Sequence, residues 1–324
     1  MNKILKQFEG LKVVVVGDIM MDTYCYGRVD RISPEAPVPI VLVERQENHP
    51  GGAANVAMNL ASLGAKPFIC SVTGKDREAE ELLRLFRENG VDTSGIILSE
   101  KRVTTVKTRV MAQNTQMLRI DNEISHLLEK EEESKLISDV ESHLNDAAVL
   151  IFQDYDKGVL SPHSIEKITS LAKQKNIPIV VDPKRRNFHS YKHVTLFKPN
   201  LKELREGLGK DINPANKTEF ESAISKLMSE LSISNVMITM SEKGIMITDG
   251  KHFEYQPAHE RKIVDVSGAG DTVVSVAALC TAVKAGNHIT AAYANLAGGL
   301  VCEEVGAVPV NKMILDAEIG QLAE

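Results

Sequence analysis

The stretch "DVSGAGDTVVSVAA", Asp265 to Ala278, decides how this chain folds. Gly268 and Gly270 let the backbone turn tightly and offer its amides to a ligand. Beyond Asp271, the residues Val273, Val274, Val276, Ala277, Ala278 and Leu279 are apolar almost all round, which predicts a buried helix. The first turn of such a helix carries unpaired N–H groups and a positive dipole end, so it favours an anion. It is not a Walker A loop, which requires GxxxxGK followed by Ser or Thr. Instead an aspartate stands where the anion should dock. A glycine turn alone also fits close packing at a helix start, and an aspartate there also fits a simple cap. Together they fit something more specific. A carboxylate beside an anion hole can take a proton from a hydroxyl as its oxygen attacks phosphorus, while the amides of Gly268, Ala269 and Gly270 stabilise the transferring charge. A base and an anion hole adjacent in sequence describe a small-molecule kinase.

The rest of the chain supplies the frame. "VVVV" (Val13 to Val16) reads as a buried strand ending at Gly17-Asp18. "KPFICSV", "AVLIFQD", "IPIVVDP", "VTLFKPN" and "NVMITM" read as further strands, with helical stretches between most of them. "GGAANVAMNLASLGA" suits a helix packed by small residues and stopped at Gly64. "DREAEELLRLFRENG" is amphipathic, with Leu82, Leu83 and Phe86 inward, and "LLEKEEES" reads as a solvated helix start. Strand–helix alternation predicts an α/β fold: a doubly wound, mostly parallel sheet with helices on both faces. Two regions, about 23–45 and 95–122, break the alternation with Val, Thr and polar residues and no crossover helix. They are expected to form a small antiparallel lid on a single domain, 1–324. Such sheets bind ligands at the carboxyl ends of their strands. Here those ends are polar: Asp18, Asp154, Asp182, Lys198 with Asn200, and Thr239 with Ser241.

Composition narrows the function. The chain has 324 residues, 43% hydrophobic and 25% charged, with a net charge of −6. That argues against nucleic acid as a partner, since nucleic-acid binding usually needs a basic face. No apolar run approaches the roughly 20 residues that span a bilayer, and the start "MNKILKQFEG" is no secretory signal, so a cytoplasmic protein is expected. Cys25, Cys70, Cys280 and Cys302 are far apart and form no CxxC pair, which predicts reduced core thiols. The first strand ends in "GDIMMD" rather than GxGxxG, so a dinucleotide fingerprint is missing.

In order along the chain, "GDIMMD" (17–22), "GGAANVAMNLASLG" (51–64), "KPNLKE" (198–203), "TMSEKG" (239–244) and "DVSGAGDT" (265–272) resemble the motifs of the ribokinase-like (PfkB) carbohydrate kinases. The resemblance covers essentially the whole chain. It implies ATP and Mg²⁺ as cofactors, with K⁺ in some members, and a lid that often serves in homodimers. It makes Asp271 the catalytic base and the amides of Gly268, Ala269 and Gly270 the anion hole. It places Lys198, Asn200 and Glu203 near the phosphates, with Glu203 organising Mg²⁺ through water. Thr239, Ser241, Gly244 and Asn295 become nucleotide contacts, and Asp265 and Ser267 positions for a monovalent cation. Asp18, Asp22, Gly51, Gly52 and Asn55 fall on the substrate side.

"GRVDRISPEAPVPI" (27–40), "QDYDKG" (153–158) and "KTRVMAQNTQMLRID" (107–121) resemble the branch that phosphorylates O1 of D-glycero-β-D-manno-heptose 7-phosphate, a step toward ADP-heptose and lipopolysaccharide core. The substrate's own phosphate needs cations, and Arg109, Arg119, Lys157, Lys184, Arg185 and Arg186 are available. Asp22, Asn55 and Asp154 suit sugar hydroxyls. The branch often carries a nucleotidyltransferase domain after the kinase. The adenylyl step would then fall either to a separate protein or to a longer form of this chain. Two other readings stay open: a kinase for another sugar or sugar phosphate, such as fructose or fructose 1-phosphate, and a non-catalytic nucleotide or sugar sensor. The intact Asp271 and glycine turn argue against the sensor.

Overall fold

The computed structural model describes residues 2–113 and 115–321. In chain order its first elements are α1 (Lys3–Gln7), β1 (Lys12–Gly17), β2 (Ile19–Ile32), β3 (Pro39–Gly52), α2 (Ala53–Ser62), β4 (Lys66–Gly74), α3 (Arg77–Glu88) and β5 (Ile96–Ser99). Then come β6 (Val106–Ala112), β7 (Thr115–Asn122), α4 (Lys130–His143), β8 (Val149–Gln153), α5 (Pro162–Gln174), β9 (Ile179–Asp182), β10 (Leu196–Phe197) and α6 (Leu201–Leu208). The last are α7 (Lys217–Leu231), β11 (Asn235–Thr239), β12 (Ile245–Thr248), β13 (Phe253–Gln256), α8 (Ala269–Ala282), α9 (Asn287–Val301) and α10 (Lys312–Gln321).

The β-branched run Val13 to Val16 lies at the switch point of a large sheet. Its strand order is β13-β12-β11-β10-β9-β8-β1-β4-β5, parallel from β11 to β5 and antiparallel through β12 and β13. Val13 and Val15 face a core shared with α2, α3, α8, α9 and α10; Val14 and Val16 face one shared with α4, α5, α6 and α7. Burial on both faces is why the strand reads as an unbroken apolar run rather than an alternation. At its carboxyl end β1 runs very close to β8. A Cβ on Gly17 would lie 1.8 Å from the Gln153 carbonyl oxygen, so only glycine fits there. This close approach brings the ends of β1 and β8 together at the cleft.

The second sheet, ordered β3-β2-β6-β7, is the lid. It differs from expectation in two ways. The segment from 95 is not all lid: Ile96–Ser99 pairs with β4 as the edge of the large sheet. The lid is also mixed, because β2 and β6 run parallel while β2–β3 and β6–β7 are antiparallel. Residues directly opposite share a face of a sheet. One face carries Asp22, Tyr24, His49, Lys107 and Arg109; the other carries Cys25, Thr23, Val110, Leu118 and Ile120. The polar face turns to the cleft, as its contacts below show. Leu118 and Ile120 are exposed on the outer one.

Elsewhere the sequence expectations and the elements agree closely. Leu82 and Phe86 are fully buried, with Leu83 half-buried beside them. The charge run opens α4 with a capping box between Glu129 and Glu132. All four cysteines are free; Cys70, Cys280 and Cys302 are buried, and Cys25 is half-buried on the lid. No helix among the described residues is long and apolar enough to cross a membrane.

Candidate active site

Ten consecutive residues of α8, Asp271 to Cys280, are buried, so this helix runs through the core and opens on the cleft at its first turn. Gly268 caps it at φ 79°, in the left-handed region that favours glycine. A Cβ there would lie 2.6 Å from the side-chain Nδ2 of Asn55. Gly270 differs: a Cβ on it would meet nothing within 4 Å. The amides of Gly268, Gly270 and Asp271 find no acceptor among the described residues. Ala269 does not share this freedom, because its amide donates to the Val266 carbonyl at 3.3 Å. The turn therefore leaves open the amides of Gly268 and Gly270 from the expected trio, but not that of Ala269. Its geometry suits a tetrahedral anion over Gly270.

Asp271 itself is 3% exposed. Its Oδ2 accepts from Asn55 Nδ2 at 3.0 Å, and its Oδ1 accepts from Gln153 Nε2 at 2.9 Å and the Tyr155 hydroxyl at 2.8 Å. Burial pushes its pKa up to about 7; the Asn55 and Tyr155 hydrogen bonds oppose this, and the charges of Asp182 and Asp22 add to it. Behind it Asn59 braces the two helices. Asn59 Oδ1 accepts from the Thr272 hydroxyl and the Val310 amide, both at 3.0 Å, and its Nδ2 donates to Asn55 Oδ1 at 3.1 Å.

The strand ends supply the neighbouring charges. Lys198 and Asp182 form a buried pair at 3.1 Å. Lys184 pairs with Glu203, and its ammonium sits 5.1 Å from the Tyr155 ring centre. Despite burial, the surrounding carboxylates Asp182 and Glu203 hold the Lys184 pKa above its usual value. The Asn-x-x-Glu spacing has a local reason: it is a capping box on α6. Asn200 Oδ1 accepts from the Glu203 amide and Glu203 Oε2 from the Asn200 amide, both at 2.8 Å. Thr239 bridges to Asn200 at the strand ends. Ser241 takes φ 51° and Gly244 φ 79° in the following turn, where a Cβ on Gly244 would come 2.0 Å from the Gln256 carbonyl oxygen. Asn295 on α9 donates to the Pro257 carbonyl at 2.7 Å, which fixes the loop leading to α8.

On the lid, Asp22 is 7% exposed and pairs with Arg109. Gly51 is small for a reason, since a Cβ would lie 2.3 Å from Asp22 Oδ2. Gly52 likewise passes close to the Asp18 carbonyl oxygen. The Tyr24 hydroxyl reaches Asp265 Oδ2 at 3.0 Å and so ties the lid to the loop before Gly268. Asp265 also accepts from the amides of Ser267 and Gly306. In this structure it is a knot between three segments.

Several expected substrate contacts have partners within the protein. Asp18 is 1% exposed, and its carboxylate accepts from the amides of Tyr155, Lys157 and Val159. It folds the loop after β8 rather than facing the cleft. Asp154 is spent on Asn187, the Tyr191 hydroxyl and the Asp156 amide. Arg119 shares the inner lid face with Arg109 but pairs with Asp121. Lys157 and Lys107 both bind Glu123, and Arg186 donates to the Ser125 carbonyl. Sequence reading missed Gln153, Tyr155 and Asn59. The signal for Gln153 was its place as a polar residue at the end of an apolar strand; nothing short of the fold marks Asn59.

The pfkB family of carbohydrate kinases matches residues 11–313. The chain belongs to this family. It is a sugar kinase, a phosphotransferase. It is similar to the bifunctional protein HldE of Methylobacillus flagellatus (40% identity over 95% of this chain) and of Pseudomonas aeruginosa (39% over 95%). It spans 63% of the length of each of these relatives. Among solved structures, phosphofructokinase-2 from Escherichia coli in complex with potassium shares the fold at 17% identity. Its TM-score is 0.83, with 98% of this chain and 100% of that chain covered. Ribokinase from Arabidopsis thaliana, complexed with ribose and ATP, does so at 16% identity with a TM-score of 0.73, over 95% and 98%.

The two glycines of the turn should respond oppositely in stability. Gly270→Ala places its methyl in open space within a helix, so a urea melt is expected to show stability equal to wild type or up to about 1 kcal/mol higher. Phosphoryl transfer should nonetheless fall by about 100-fold or more, because the methyl occupies the anion's space. Gly268→Ala should lose both, since its φ is left-handed and its methyl displaces Asn55.

Proposed function

We propose that the protein transfers the γ-phosphoryl group of ATP to O1 of D-glycero-β-D-manno-heptose 7-phosphate. The observation that carries the kinase chemistry is Asp271: a buried carboxylate one residue from an open anion site, on the same helical turn. The heptose rests on the likeness of the segments 27–40, 107–121 and 153–158 to that branch of the family and on the two bifunctional relatives.

Asp271 in its ionised form takes the proton of the sugar hydroxyl as that oxygen bonds to the γ-phosphorus and the bond to the bridging oxygen breaks, releasing ADP. The Tyr155 hydroxyl occupies a position on Oδ1 that the substrate hydroxyl would take over. The first-turn amides and the α8 dipole receive the charge of the transferring group. Asn55 and Asp22 would meet the sugar hydroxyls, and Arg109, paired with Asp22 on the inner lid face, would meet the substrate phosphate. Thr239, Ser241, Gly244 and Asn295 line the nucleotide side, with Lys198 and Asn200 toward its phosphates.

The residues fit magnesium bound with the nucleotide. No group of three or more His, Cys, Asp or Glu is gathered for a metal among the described residues. Glu203, engaged here by Lys184 and the Asn200 amide, would hold Mg²⁺ through water. Magnesium would supply charge neutralisation on the phosphates. A potassium ion at Asp265 and Ser267 belongs to the same proposal.

We also propose a homodimer through the lid, because Leu118, Ile120 and Val110 put apolar side chains on the face away from the cleft. Sedimentation should give a dimer for wild type and a monomer for Leu118→Asp. A wild-type monomer, or a dimeric variant, would remove the lid as the interface.

Phosphorylation assays across the heptose 7-phosphate, fructose and fructose 1-phosphate test the acceptor; no turnover of the heptose phosphate would sink that assignment. Asp271→Asn is expected to keep nucleotide binding and to lose about 10²–10⁴-fold in kcat. Activity near wild type would show that the base is elsewhere.

The pH profile tests the same group. Only ionised Asp271 accepts the proton, and its pKa lies near 7. Hence kcat/KM should be level above that pH and fall about tenfold per unit below it. A profile flat down to the ordinary carboxylate range would contradict it.

A further inference from the structure

Gln153 ends β8 with its side chain wholly buried. Its NH₂ group donates to two carboxylates at once, Asp271 Oδ1 at 2.9 Å and Asp182 Oδ2 at 3.2 Å. Its Oε1 is buried with no hydrogen-bond partner. An unmet buried oxygen costs stability. The amide accepts that cost because the reverse orientation would aim oxygen lone pairs at two acids and leave them without donors. Asp182 is in turn paired with Lys198. A continuous line therefore runs from the Lys198 ammonium through Asp182 and the Gln153 amide to Asp271. The other charged and titratable groups facing the base are Asp22 from β2, and Tyr155 and Lys184 from the loops after β8 and β9. Asp22 and Asp182 oppose its ionisation and Lys184 favours it. Among the described residues, Gln153 is the one uncharged side chain hydrogen-bonded to both Asp271 and Asp182. It separates two like charges with one N–H each.

We propose that Gln153 is a positioning residue for phosphoryl transfer: its amide fixes Oδ1 of the base and links the base to the Lys198–Asp182 pair. The proposal rests on Asp271 being the base. A residue that only filled space would leave the proton affinity of Asp271 unchanged. An N–H donor to the ionised carboxylate lowers it, so removing the donor should make ionisation harder.

The test is the pH profile of Gln153→Met, which keeps the length and bulk and deletes both donors. With ATP and D-glycero-β-D-manno-heptose 7-phosphate, or fructose 1-phosphate should the panel single it out, kcat is expected to fall while KM for both substrates stays within about twofold. The acid limb should move up by about one pH unit, the value of a hydrogen bond to a charged acceptor. A folded Q153M whose limb overlays wild type overturns the proposal. If Q153M does not fold, Gln153→Asn, which keeps the amide but shortens its reach, is read in the same way. Lys198→Met should also raise the limb, and in the double variant the two shifts should fall short of their sum; additive shifts would break the proposed line. The two assignments fail separately. Near-wild-type activity in D271N removes the base itself, whereas an inactive D271N with an unmoved Q153M limb removes only the role of Gln153.

Discussion

The site depends on one constraint: a carboxylate must be kept out of water at the start of a buried helix. Taking a lone carboxylate from water is costly, and proteins meet the cost with hydrogen bonds or by raising the pKa. Asp271 does both. Asn55, Gln153 and Tyr155 each give it a donor, and the N-terminal end of α8 favours its charge. The donors come from α2, from the end of β8 and from the loop after it. Their convergence explains the glycines around them. Gly17 lets β1 close on β8, Gly52 lets α2 begin against Asp18, and Gly268 leaves room for Asn55.

Four buried aspartates, Asp18, Asp154, Asp182 and Asp271, lie at or near this end of the sheet, and their partners separate their roles. Asp18 is held by three backbone amides, which no substrate could displace without unfolding the loop. Asp154 is held by Tyr191, Asn187 and a backbone amide in the core, and burial with the Asp18 charge pushes its pKa up to about 7. Asp182 is neutralised by Lys198. Asp271, like Asp182, is held by side chains, but one of its partners, Tyr155, sits on a loop at the cleft. A raised pKa therefore does not by itself mark a base: Asp154 and Asp271 share it. What distinguishes Asp271 is a partner on a loop at the cleft and its place in the first turn of a buried helix.

This bears on how much the sequence could tell. The buried strands and α8 were legible because burial on all sides leaves unbroken apolar runs. The glycine turn was legible because its residues are adjacent. The charges on the strand ends were legible as a rim, but not as individuals. Asp18 and Asp22 sit four positions apart in "GDIMMD", yet one knots a loop and the other faces the cleft. Only the path of β2 away from the sheet makes that difference. The lid boundary failed for a similar reason: Ile96–Ser99 is a short strand without a crossover helix of its own, so it read as lid although it extends the parallel sheet. Asn59 was silent because a buried asparagine in a small-residue helix shows no pattern until α8 packs against it.

The lid shows how one alternation can serve two ends. Its period-two pattern puts Asp22, Tyr24 and Arg109 on the inner face and Cys25, Val110 and Leu118 on the outer one. A slip of one residue would exchange them. The β2–β3 pairing spans both strands from Ile19–Gly52 to Ile32–Pro39, with its irregularities only beyond Tyr26. The register is therefore unbroken over the part that carries Asp22 and Tyr24. Tyr24 then fastens that register to Asp265, three residues before the Gly268 cap. A hydroxyl–carboxylate contact thus joins the inner face of the lid to the turn that opens α8.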